Sequence, residues 1–241
     1  MKISFRKSPP NRHALIWTGL ASAAATVLIT RNFFEFEKKI RHLITTDYGP
    51  DDPRFRGTMS QLLGPPLVEG NTVTALQNGV QIFPAMLAGI RSAERSITFE
   101  NFILREGRIV DEFAEALSER ARAGVRVHYL QDSFGANCLH GHAMHLLKRS
   151  GVEVEIFRFL QLSRFNYRMH RKLLIIDGRI GFIGGVGIGD EWAGHGDSLD
   201  VWRDSHFRVE GPVVAQMQQA FMDNWMQTRA VVLHGDDYFP A

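Results

Sequence analysis

The chain has a single cysteine, Cys138, among 241 residues. No intramolecular disulfide can form, and a small disulfide-stapled scaffold is excluded. An excess of charge of one sign is also missing: 28 Lys and Arg stand against 26 Asp and Glu, a formal net charge of +2. Holding nucleic acid by neutralising phosphates calls for a larger positive excess, so charge gives that class no support. Lysine is scarce, with six residues against 22 arginines. The chain shows neither an internal repeat nor a low-complexity tract. What is present is 44% hydrophobic, enough for one large or two small globular domains.

The N-terminus differs in kind from the rest. A basic stretch, "MKISFRKSPPNRH", is followed by "ALIWTGLASAAATVLIT" (14–30), without charge until Arg31. Seventeen residues of helix span roughly 25 Å, the short end of what crosses a bilayer. A signal peptide cut at Ala21-Ser22-Ala23 is the rival; it would leave apolar "AATVLIT" at the new terminus. The flanking charges favour a basic N-terminus and membrane-anchor helix over residues 1–34. Lys2, Arg6, Lys7 and Arg12 on one side balance Arg31, Lys38, Lys39 and Arg41 on the other, so the positive-inside rule gives no orientation.

Residues 35–70 read as a linker, because "YGPDDPRFRG" and "GPP" argue against regular structure. From residue 71 to 241 helical and strand patterns alternate. "IFPAMLAGI" and "RIVDEFAEALSERARAG" carry apolar residues at helical spacing, the second on Ile109, Val110, Phe113, Leu117 and Ala121. "SITFENFIL", "VRVHYLQ" and "VEVEIF" read as strands, a short helix is expected near 143–150, and "GPVVAQMQQAFMDNWMQ" reads as a last helix. Strands separated by helices of this length predict an α/β fold: a mixed, largely parallel sheet flanked by helices.

One stretch carries chemistry. In "NYRMHRKLLIIDG", Asn166, Arg168, His170 and Lys172 occur at every second position. On a strand they share one face, and four such groups at the entry to a core suit an anion. The spacing His170-x-Lys172-x4-Asp177 arises by chance roughly once in a hundred chains of this composition, and paired glycines, Gly184-Gly185, follow.

With these residues the chain resembles the phospholipase D superfamily, whose signature is H-x-K-x4-D, six residues, then G-G or G-S. Within it the chain is similar to bacterial cardiolipin synthases in "RMHRKLLIIDG", "GGVGIGDEW" and "WRDSHFRVEGP", and the likeness covers most of residues 71–240. The resemblance implies a phospholipase D-like half-domain and a phosphatidyltransferase acting on phosphatidylglycerol. His170 is then the nucleophile that forms a phosphohistidine, and Lys172 neutralises the phosphoryl oxygens. Arg168, Asn166 and the amides of Gly184 and Gly185 contact substrate. Asp204 holds the other imidazole nitrogen, as a triad carboxylate does. Asp177 completes the motif, although a strand-end turn suits a structural role. The scheme needs no metal and no cofactor.

Two departures bear on completeness. The family asparagine after the glycines falls at Gly187, and the signature occurs once. A second histidine must protonate the leaving alkoxide, so the chain is expected to be the first half of a two-motif enzyme. Its partner is then a missing second half or another subunit. His140, His142 and His145 in "HGHAMH" are a weaker metal candidate, lacking further ligands nearby. Glu100 and Asn101 interrupt an apolar strand; either one of them faces the same cleft or the two are a satisfied buried pair. Trp192 and Trp202 suit a lipid-facing rim or an aromatic core; Arg105 and Arg108 suit a solvated loop. The alternatives are a phospholipase D-type phosphodiesterase, a dimeric nuclease, or a non-catalytic half-domain binding anionic lipid.

Overall fold

The three strands and four helices read from residue 71 onward form as the sequence leads one to expect, and four further strands complete the sheet. The computed structural model describes residues 11–33, 46–136, 141–157 and 168–240. The N-terminal apolar run is a helix, α1 (Arg12–Phe33), whose 22 residues reach roughly 33 Å at helical rise. Among the described residues it is the one helix long and apolar enough to cross a membrane, by length and composition.

The stretch expected to be irregular contains a helix instead, α2 (Pro53–Leu63). The residues that argued against structure are its boundaries. Pro53 starts the helix, where a missing N–H costs nothing. Asp52 caps it by accepting the Arg54 N–H at 2.8 Å, and Gly64, at φ 89°, ends it.

The sheet has seven strands: β1 (Thr72–Gln77), β2 (Ser96–Asn101), β3 (Arg126–Asp132), β4 (Glu153–Phe157), β5 (Leu173–Ile176), β6 (Ile180–Gly184) and β7 (Ser205–Glu210), in the order β1-β7-β6-β5-β2-β3-β4. It is mixed, as expected, but parallel pairing is confined to β2–β3 and β3–β4. The other four pairings are antiparallel. The parallel pairs are those joined by helical crossovers, α4 (Arg108–Arg122) and α5 (His142–Arg149). β5 and β6 form a hairpin, turning at Asp177 and Gly178, both at positive φ (53° and 63°).

Two cores flank the sheet. On one face α3 (Asn78–Ser92), α4 and α5 pack over Leu174, Ile176 and Phe182. On the other, α6 (Val213–Arg229) places Met217, Phe221 and Trp225 over Leu130, Leu173 and Ile175. The expected stripe on α4 is buried at Ile109, Val110, Phe113 and Leu117. β2 lies between β5 and β3 and is buried along its whole length, which brings Glu100 and Asn101 into the interior. The last residues fold back on the α6 side, where Tyr238 is buried and its hydroxyl meets His128 Nε2 at 2.7 Å.

Candidate active site

His170 and Lys172 precede β5 and are not part of it: residues 168–172 adopt no regular structure. The shared strand face expected for Asn166, Arg168, His170 and Lys172 is therefore not what unites them. Asn166 lies outside the described residues. The Met169 N–H donates to Asp132 Oδ2 at 2.8 Å and not to a neighbouring strand, which takes the segment out of the ladder. Asp132 ends β3, and its other oxygen accepts the Phe134 N–H at 2.8 Å. Arg168 stacks its guanidinium over the Phe134 ring, 3.5 Å from the centroid.

His170 and Lys172 nevertheless meet. The ammonium lies 3.2 Å from His170 Nε2 and 3.3 Å from Nδ1, and donates to the His170 carbonyl at 3.0 Å. His170 is exposed while Lys172 is buried. The Phe102 ring sits 4.6 Å from the imidazole, centroid to centroid, and 5.2 Å from Lys172 Nζ. Burial, then the Lys172 charge, lower the His170 pKa, with Asp132 acting in the opposite sense. Burial likewise lowers the Lys172 pKa, against the charge of Asp204. The shift on His170 favours the uncharged imidazole, the form in which a ring nitrogen can act as a nucleophile.

The carboxylate assigned to the imidazole by resemblance is placed differently. Among the described residues no hydrogen bond joins Asp204 to His170. Asp204 Oδ1 accepts the Ser205 N–H at 2.8 Å, and its backbone N–H donates to Asn78 Oδ1 at 3.1 Å. Its charge acts on Lys172, whereas Asp132, which the sequence reading passed over, acts on His170. Nothing in the sequence marked Asp132 or Phe102; Asp132 ends β3 and Phe102 follows β2, 38 and 68 residues before the histidine, and only the sheet order brings them near.

The paired glycines make room for side chains of β7. A Cβ on Gly185 would stand 2.3 Å from Asp204 Oδ1, and one on Gly184 2.6 Å from His206 Nδ1. His206 is fully buried against Gly184, and neither ring nitrogen has a hydrogen-bond partner among the described residues. Burial, followed by the Lys172 charge, pushes its pKa down to about 4. At Gly187 the space of the family asparagine is already filled. A Cβ there would lie 2.9 Å from both Ile103 Cβ and the Trp192 ring. Trp192 is buried and stacks on the exposed Trp202 at 6.1 Å.

Asp177 is not brought to this site. It lies at the opposite end of β5, where its carboxylate accepts the N–H groups of Glu94, Arg95 and Ser96 at 2.8–2.9 Å and ties the entry of β2 to the hairpin. Arg108 begins α4, where Asp190 accepts its N–H at 3.0 Å; its side chain pairs with Glu112, and Arg105 lies 3.5 Å from Glu191. His142 and His145 are exposed on α5, and His140 lies outside the described residues. Among the described residues no cluster of three or more His, Cys, Asp or Glu could hold a metal ion.

Residues 86–225 match the family model described as "Cardiolipin synthase, PLD-like domain". Cardiolipin synthase 1 of Bacillus cereus is 32% identical over 193 residues, 78% of this chain and 38% of that protein. Cardiolipin synthase of Oceanobacillus iheyensis is 38% identical over 175 residues, 71% of this chain and 36% of the relative. The chain thus spans little more than a third of the length of these curated relatives. Among solved structures, Nuc from Salmonella typhimurium, a phospholipase D family member, superposes with a TM-score of 0.51 at 17% identity, over 66% of this chain and 97% of that one. NucT from Helicobacter pylori gives 0.50 at 16%, over 68% and 99%. At such identities these two establish the fold alone.

Proposed function

Since this chain belongs to the cardiolipin synthase family of PLD-like domains, we propose that it is one catalytic half of a phosphatidyltransferase that uses His170 as nucleophile. The observation that carries the reading is the exposed imidazole held 3.2 Å from the buried Lys172 side chain. An imidazole nitrogen attacks the phosphorus of phosphatidylglycerol, and the P–O bond to the glycerol headgroup breaks. The departing alkoxide takes a proton from a general acid. A hydroxyl of a second phosphatidylglycerol then attacks the phosphohistidine, its proton passing to the group that had served as acid, and the P–N bond breaks to give cardiolipin and free His170. Lys172 neutralises charge on the phosphoryl oxygens. Arg168, Gly184, Gly185 and Asn166 remain the proposed substrate contacts, and Asp204 acts by holding the Lys172 charge in place. Asp177 has a structural part only.

The general acid is a second histidine, supplied by another subunit or a second catalytic half. In this organisation residues 1–34 anchor the chain in a bacterial inner membrane, 35–70 connect, and 71–241 form the catalytic half beside its lipid substrate. The test uses the full chain in mixed micelles of phosphatidylglycerol carrying labelled phosphate, with and without the separately expressed second half of Bacillus cereus cardiolipin synthase 1. Acid-quenched wild type should carry label that His170→Ala lacks, and cardiolipin should accumulate with the second half added. Label or cardiolipin from His170→Ala would overturn the assignment. Phosphatidic acid as the main product would favour the phosphodiesterase instead.

A further inference from the structure

The segment that carries His170 and Lys172 has no strand partner to fix it, so other contacts must. One is the Met169 N–H on Asp132, which sets the backbone before the histidine. A second, Lys172 Nζ on the His170 carbonyl, is internal to the segment. The third belongs to the residue between them. Arg171 Nε lies 2.8 Å from Glu100 Oε1, an ion pair whose alignment falls short of a hydrogen bond, and Asn224 of α6 donates to Glu100 Oε2 at 2.9 Å. Glu100 is fully buried in β2.

We propose that Glu100, acting through Arg171, is the positioning residue of the His170–Lys172 pair. The proposal rests on the reading of His170 as nucleophile and deepens it. The alternation of the chain makes the lever possible. Leu173 enters the core under α6 and Leu174 the core under α3. Arg171 reaches the carboxylate of Glu100, which Asn224 of α6 also holds, while Lys172 meets the imidazole. A buried carboxylate without its cation is costly, so Glu100 holds Arg171 in one place, and the two neighbours of Arg171 inherit that placement.

Burial first, with Asp223 adding to it and Arg171 and Asn224 opposing, pushes the Glu100 pKa up to about 7. The charged groups facing it are Arg171 from the catalytic segment and Asp223 from α6. Nearby, Glu155 of β4 is paired with Arg229 of α6 at 2.9 Å, and Asp132 is committed to the backbone of Met169 and Phe134. Protonating Glu100 removes the charge that holds Arg171, so the imidazole should sense that event.

The experiment follows the His170 ring nitrogens by NMR, in the full chain in detergent micelles, between pH 5 and 9. Wild type should show two inflections, one from His170 itself and one near pH 7 that follows Glu100. Glu100→Gln should show only the first. Phosphohistidine formation, measured in parallel, should lose the same pH 7 limb and slow about tenfold at pH 8. If Glu100→Gln does not fold, the double variant Glu100→Gln/Arg171→Met, which leaves no charge stranded, replaces it. The proposal is overturned if a folded variant titrates as wild type does. Loss of phosphohistidine in wild type with the Glu100 inflection intact would instead remove the nucleophile and leave the pair standing.

Discussion

His170 and Asp177 belong to one sequence signature, yet the four residues of β5 separate them, and their side chains do unrelated work. Asp177 serves three backbone N–H groups, of which that of Ser96 is within a buried residue. Removing the acceptor leaves donors unpaired, at a cost of about 1–3 kcal/mol. Asp177→Ala should therefore lower the urea midpoint while each folded molecule still forms phosphohistidine; the His170→Ala chain should do the reverse. Equal stability with lost labelling in Asp177→Ala would place that carboxylate in the chemistry. The signature was legible because spacing is a property of the chain. The roles of its members were not, because they depend on which strand lies beside each end of β5.

The same holds for whole elements. α4 and α6 could be read from their apolar stripes, since a helix that must cover a sheet repeats at 3.6 residues whatever its neighbours. The helix α2 was missed because Pro53 and Gly64 were read as breakers when they are its two ends. The parallel character was overestimated because helices of crossover length signal only β2–β3–β4; the hairpin β5–β6 and the strands β1 and β7 pair by antiparallel contacts that leave no such signal. α1 supports a sharper expectation. Deleting residues 1–34 should free the chain from membranes, with the thermal transition of residues 71–241 preserved. Sedimentation after a high-salt wash measures the first and calorimetry the second. Continued sedimentation would mean that α1 is not the main attachment.

At the scale of the molecule, three buried groups set how stability changes with pH. His128 and His206 have pKa values lowered from 6.5 to about 4, chiefly by burial. Each contributes stability that is present above 6.5 and lost as pH falls toward 4. Glu100, raised from 4.5 to about 7, has the opposite sign: its contribution is full below 4.5 and gone once pH passes 7. Between pH 4.5 and 6.5 the two histidines outweigh Glu100 and the unfolded chain binds more protons, so stability should rise with pH. Above 6.5 only the Glu100 contribution changes, and stability should decline slightly to pH 7. Melting temperatures across pH 4.5–8 should peak near 6.5, and Glu100→Gln should steepen the rise and abolish the decline. A steady fall from pH 4.5 upward would show that the two histidines are not held neutral.

The sequence by itself determined the class of the fold, the positions of the main helices, the apolar N-terminal helix and the His170–Lys172 pair as the candidate site. Each of these rests on periodicity, composition or spacing, which act over a few turns or strands of contiguous chain. The tertiary structure alone decided that Asp132 and Phe102 face His170, that Asp204 and His206 lie over Gly185 and Gly184, that Trp192 fills the space beside Gly187, and that Glu100 meets Arg171. These contacts join residues up to 71 positions apart. They exist because β5 lies between β2 and β6, and β6 beside β7. Burial, which sets the charges of His206 and Glu100, comes from that order and from the helices packed on it, not from any residue's neighbours in the chain.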